Sequence, residues 1–81
     1  KKIHAPISRM EVHSIYFMTS DGWGTASARS WLKRHGFMAI KRVDKVGREL
    51  RYRILPPELF RRFVTKILPG PGQVHIVFGI R

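Results

Sequence analysis

Cysteine is absent from this sequence. That removes disulfides, thiolate zinc sites and cysteine nucleophiles together. The core must hold by packing alone, or a partner must help it. Carboxylates are scarce: Glu11, Asp21, Asp44, Glu49 and Glu58 are the only five. They fall in five separate segments, whereas a hydrolytic or nuclease site needs clustered carboxylates, usually around a metal. Asp44 and Glu49 flank one turn, and they read as a turn former and a charge-balancing strand residue. No apolar run approaches the ~18 residues of a membrane span, so no membrane partner is expected. The start, Lys1-Lys2-Ile3-His4-Ala5-Pro6, carries no apolar stretch of the signal-peptide kind. An intracellular protein is the expectation.

The remaining chemistry is thin. His4, His13, His35 and His75 show no metal-binding helix spacing, and without cysteine support no metal is expected. No cofactor is expected either. Serines 8, 14, 20, 27 and 30 lack a nucleophile context. Gly22-Trp23-Gly24 precedes a helix, and helix N-termini bind anions. No Lys-Ser/Thr follows it, so it reads as a hinge loop with Trp23 as a lid on the core. The chain is expected not to be an enzyme; a small nuclease is the enzymatic alternative.

What is present in excess is positive charge. Sixteen Lys and Arg face the five acids, giving a formal net charge of +11 on 81 residues. Such a charge costs stability through self-repulsion and points to a polyanionic partner. Nucleic acid is the commonest, with DNA ranked ahead of RNA. An acidic protein or self-association is the other possibility. Arg outnumbers Lys by ten to six, which suits bidentate phosphate contacts.

Length and periodicity predict one α+β domain: one helix packed on a small, mainly antiparallel sheet, in the order β-α-β-β-β-β. Residues 1–13 read as an N-terminal arm and 14–81 as the domain. Ser14 to Met18 reads as a strand. Thr25 is the expected N-cap of a helix running to His35. Ala28, Trp31, Leu32 and His35 share its apolar face, and Gly36 stops it. Phe37 then folds back onto Leu32. Residues 38–43 and 48–55 read as an antiparallel hairpin about the turn Asp44-Lys45-Val46-Gly47. In its second strand Leu50, Tyr52 and Ile54 alternate with Glu49, Arg51 and Arg53, so one face is buried and one is wet and positive. Pro57 to Phe60 makes a single helical turn. A fourth strand, 61–68, is expected to turn Phe63, Thr65 and Ile67 inward and Arg62 and Lys66 outward. A fifth, 73–80, turns Val74, Ile76, Phe78 and Ile80 inward. Its other face, His75, Val77 and Gly79, is too apolar to be left bare.

The candidate nucleic-acid-binding residues are Arg29, Lys33, Lys41, Arg42, Arg48, Arg51, Arg53, Arg62 and Lys66. The hairpin's basic face is the expected centre of the site. A basic sheet face with an aromatic, here Tyr52 or Tyr16, binds phosphates and stacks bases. Alternation turns Tyr52 toward the core, away from Arg51 and Arg53. The expectation is therefore mainly phosphate-backbone contact.

The stretch Trp23 to Ile80 resembles a recurrent module of small bacteriophage-encoded proteins, some of them associated with head-morphogenesis or protease genes. The shared pattern is Ala28-x-x-Trp31-Leu32-Lys33-x-His35-Gly36-Phe37, then Arg51-Tyr52-Arg53, Pro57-x-x-Phe60 and an apolar run from Val74 to Ile80. The resemblance implies a phage origin, placing the protein in the host cytoplasm or the virion. It supplies no catalytic residues. Two functions follow from the sequence. One is a nucleic-acid-binding module; the other is a phage structural or interaction protein, either a virion component or an inhibitor docking on an acidic host protein.

Overall fold

The computed structural model describes residues 10–81. The first nine residues of the expected arm lie outside the described residues. The strand β1 runs Met10–Met18, so the anticipated arm boundary at residue 13 falls inside it. It is followed by a helix α1 (Thr25–Arg34) and four further strands: β2 (Asp44–Val46), β3 (Glu49–Arg53), β4 (Arg62–Leu68) and β5 (Val74–Ile80). Single 3₁₀ turns occupy Thr19–Asp21 and Pro57–Leu59. The five strands form one sheet in the order β2-β3-β1-β5-β4, with every neighbouring pair antiparallel. The expected fold class and element order are the observed ones.

The helix forms and ends for local reasons. Gly24 is its N-cap, and the Ser27 hydroxyl accepts from the Gly24 amide at 3.0 Å. Thr25, expected as the cap, is the first helical residue instead. At the other end Gly36 adopts φ +77°, which glycine enters without steric cost. Two amides then fold back, Phe37 to the Leu32 carbonyl at 2.9 Å and Gly36 to that of Lys33 at 3.1 Å. This paired closure satisfies carbonyls the helix would otherwise orphan. His35, expected on the buried face, is exposed. Its ring stacks on Trp31 at 3.8 Å between centroids, and Nδ1 lies 2.8 Å from the Trp31 carbonyl.

Ala28, Trp31 and Leu32 press onto one face of the sheet. Beneath them sit Ile15 and Phe17 of the central strand, both fully buried, with Leu50 and Tyr52 from β3 and Val74 and Ile76 from β5. Each such apolar side chain contributes about 1.5–3 kcal/mol on burial. Trp23 closes this core from the loop, its ring edge-on to Phe17 at 4.8 Å.

Two strand expectations fail. Residues 38–43 form no strand; Met38 and Ile40 are exposed, and only the Ile40 amide reaches the sheet, at the Arg53 carbonyl. The hairpin partner of β3 is the expected turn itself, Asp44–Val46, which pairs Asp44 with Arg51 and Val46 with Glu49. The physical reason is distance. The chain must travel from the end of the helix to the sheet's outer edge, and 38–43 is that crossing. In β4 all seven residues are exposed, Phe63, Thr65 and Ile67 among them. Register puts these three on the face opposite the helix, while Arg62 and Lys66 project on the helix side. The helix does not reach this edge strand.

The face of β5 that looked too apolar to be bare is covered at one end. Phe60 lies on Gly79 so closely that a Cβ there would fall inside its ring. The segment after β3 brings it there: Ile54 and Leu55 both donate to the His13 carbonyl, and Arg61 donates to that of Ile80. Replacing Gly79 with Ala should therefore cost about 1–3 kcal/mol by overpacking. In a urea-melt double-mutant cycle, Phe60→Ala should cost less in the Gly79→Ala background than alone. Additive costs would contradict the packing described.

Candidate nucleic-acid interface

The strand register decides which side chains share the face away from the helix. Tyr16 of β1 stands opposite Arg51 of β3 on one side and His75 of β5 on the other. Ile67 of β4 continues the same row beyond His75. Arg51, Tyr16, His75 and Ile67 thus form a line across four strands. The Arg51 guanidinium lies over the Tyr16 ring, 4.7 Å from its centroid. The Tyr16 and His75 rings are nearly parallel, 20° apart, with centroids 6.5 Å apart. One row along, Arg53 stands opposite Ser14, and Ser14 opposite Val77.

This face carries both signs near its edge. Arg51 donates to Glu49 at 2.8 Å, and Asp44 is its cross-strand neighbour. Asp44 in turn pairs with Lys41 at 3.3 Å. Asp44 and Glu49 therefore serve basic partners. Glu11 pairs with Arg81 at 2.5 Å. Among the described residues no three His, Asp or Glu side chains come together in a metal-holding arrangement.

The nine candidate cations divide into separate groups. Arg51 and Arg53 face away from the helix, beside Tyr16. Arg29 and Lys33 from α1 join Lys41 and Arg42 from the 38–43 crossing around a cleft on the helix side. Lys41 was expected on a strand beside Arg51 and Arg53; with no strand at 38–43 it lines the cleft, and its ammonium reaches Asp44, the cross-strand neighbour of Arg51. Arg62 and Lys66 lie on the helix side of β4, at the opposite edge of the sheet. Arg48 is exposed in the β2–β3 turn, its carbonyl accepting from the Thr19 amide at 2.8 Å.

Sequence reasoning asked whether Tyr52 or Tyr16 accompanies the basic hairpin. Tyr52 turns to the core as its alternation implied, and Tyr16 occupies the wet face. The signal was present: Tyr16 lies between Ile15 and Phe17, and both of those are core. His75 was missed because its neighbours gave it no partner until β1 and β5 were paired.

His13 marks the far end of this face. It sits at the irregularity where the β1–β5 register shifts between Val12 and Ser14. Its ring lies edge-on to Phe60 at 6.1 Å and tilted to Phe63 at 5.0 Å. Neither ring nitrogen has a partner among the described residues. Burial among these aromatics, then the neighbouring Arg53 charge, lowers its pKa below the usual 6.5.

The chain was compared with protein-family models, with curated proteins and with solved structures, and it matches none of them. No helix among the described residues is long and apolar enough to cross a membrane.

A lowered histidine pKa means the unfolded chain takes up the proton first as pH falls. The neutral ring's contribution is complete above about pH 6.5, the unfolded value, and is lost progressively below it. Thermal melts from pH 7.5 to 5 should show the wild-type Tm falling more steeply than that of His13→Leu. Parallel pH profiles would show that His13 is not buried in its neutral form.

Proposed function

We propose that this protein binds nucleic acid on the sheet face its helix leaves uncovered. Arg51 and Arg53 contact phosphates, and the Tyr16–His75 pair offers rings for base stacking. The observation that carries the reading is the cross-strand row Arg51, Tyr16 and His75, half-exposed on that face. Aromatic rings interleaved with arginines on an open sheet suit single strands, whose base faces are free to stack. The unbalanced charge of +11 supplies the long-range attraction. Contacts of this kind position a backbone and tolerate any sequence. The other basic groups, around the cleft and on β4, extend the positive field without sharing this face.

A second reading is favoured by β4. All seven of its residues are exposed, and Phe63, Val64, Ile67 and Leu68 are apolar. Its outer edge has no neighbouring strand among the described residues. Open edges of this type pair with another chain. Under this reading the protein is a structural or interaction protein, and sedimentation should show self-association that Ile67→Lys abolishes. A monomer at high concentration counts against it.

The first reading is tested by fluorescence anisotropy with labelled single-stranded DNA, single-stranded RNA and duplex DNA across a salt series. Tyr16→Ala should weaken single-strand binding by about 1–3 kcal/mol, the usual worth of one stacked base. It should leave duplex binding nearly unchanged. Arg51→Ala with Arg53→Ala should weaken binding for every sequence alike. It should also flatten the single-strand log–log salt slope by about 1.4, two phosphate contacts at roughly 0.7 each. Unaltered affinity in both variants would move the site off this face.

A further inference from the structure

The cleft on the helix side has a composition of its own. One wall is α1, the other the 38–43 crossing, and the cleft between them, open to solvent, has a volume of about 790 Å³. That lies within the ~300–1,000 Å³ of ordinary small-molecule sites, and is far more than a lone inorganic ion fills. Arg29 and Lys33 project from one wall, Lys41 and Arg42 from the other. Lys41 is engaged by Asp44. No carboxylate pairs with Arg29, Lys33 or Arg42 among the described residues. Between the basic walls the lining is apolar and partly aromatic, with Phe37 and Tyr52 in it.

Tyr52 is the second, independent observation. It is 3% exposed, and its hydroxyl has no hydrogen-bond partner among the described residues. A buried hydroxyl without a partner is a cost, and a native fold retains few of them. Burial also raises the phenol's pKa, against the opposing pull of Arg29, so the group stays a neutral donor and acceptor. An alkyl chain in the cleft would leave this hydroxyl unsatisfied. A heteroaromatic ring with polar edges would satisfy it. Three uncompensated cations around the same space call for a multiply charged anion on that ligand.

We propose that the cleft between α1 and residues 38–43 binds a nucleoside phosphate, its base against Phe37 and Tyr52 and its phosphate among Arg29, Lys33 and Arg42. The site is separate from the uncovered sheet face, on the other side of the sheet, and does not depend on it. The ligand is either a free nucleotide or one nucleotide of a bound strand. The chemistry recognised is the same in both.

The test is a two-dimensional amide NMR titration of the whole chain with the four common nucleoside monophosphates. Inorganic phosphate and the unphosphorylated nucleosides form separate arms. Saturable shifts are expected at Arg29, Lys33, Phe37 and Tyr52, with phosphate alone and nucleosides alone each at least about tenfold weaker. Tyr52→Phe should weaken binding about fivefold, one hydrogen bond's worth, while leaving the melting temperature unchanged or higher. A purely structural tyrosine would show the reverse. Arg29→Ala combined with Arg42→Ala should weaken binding by about 30-fold or more. Tyr16→Ala should leave nucleotide affinity unchanged, so failure of the sheet-face reading and failure of this one remain distinguishable. A short oligonucleotide that displaces the nucleotide would identify the occupant as part of a strand; one that does not would identify a free nucleotide. The proposal is overturned by the absence of saturable shifts, by Tyr52→Phe binding as wild type does, or by phosphate alone binding equally well.

Discussion

A ten-residue helix is about 15 Å long and roughly 10 Å across, while five strands span about 20 Å between the outermost backbones. One such helix cannot cover one whole face of the sheet, and it cannot touch the other face at all. Everything else in this molecule follows from that shortfall. The helix is centred over β1 and its two neighbours, where Ile15 and Phe17 are fully buried. β4, two strands from β1, receives no cover from the helix and stays exposed along its length. On the reverse face the described residues supply Phe60, set on Gly79 by the crossing after β3, with His13 and Phe63 beside it. The rest of this face carries Tyr16, His75, Arg51 and Arg53, and beyond them Thr65 and Ile67 of β4.

Electrostatics then sorts the charges. Three of the five carboxylates are committed to nearby cations: Glu49 to Arg51, Asp44 to Lys41 and Glu11 to Arg81. These pairs are partly solvated and contribute little to stability, about 0–1 kcal/mol each. Their larger effect is local neutralisation of particular arginines and lysines. Arg29, Lys33, Arg42 and Arg53 have no carboxylate in hydrogen-bonding or ion-pair reach among the described residues. Three of these four line the helix-side cleft and Arg53 lies on the reverse face; Arg48, Arg62 and Lys66, equally without a carboxylate partner among the described residues, lie outside both. The cleft and the reverse face each carry aromatic surface, Phe37 and Tyr52 in the first and Tyr16 and His75 in the second.

The parts of this arrangement that were legible in the sequence are the local ones. The helix stop at His35-Gly36-Phe37 is set by residues adjacent in the chain, and it folds as its chemistry demands. The alternation of Leu50 and Tyr52 with Arg51 and Arg53 likewise carries its two faces within one segment. Nonlocal geometry was not legible. Met38, Ile40 and Val43 have strand-forming composition, yet they bridge from the helix to an edge strand and find no ladder to join. Phe63 and Ile67 have the pattern of a buried face, but a pattern cannot report whether anything arrives to cover it. The meeting of Tyr16 with Arg51 and His75 depends on two separate strand registers, with partners 35 and 59 positions away along the chain. The cleft was illegible for the same reason: its two walls come from segments whose relative placement no periodicity encodes.

The central claim is that the uncovered sheet face is the nucleic-acid contact surface. The most direct measurement is the pattern of amide NMR shifts when the protein is titrated with a short single-stranded oligonucleotide. The account predicts that the largest shifts fall on Ser14, Tyr16, Arg51, Arg53 and His75, with β4 and the outer surface of α1 little changed. Shifts concentrated on Arg62 to Leu68, or spread evenly over the surface as a diffuse charge effect would produce, would contradict it.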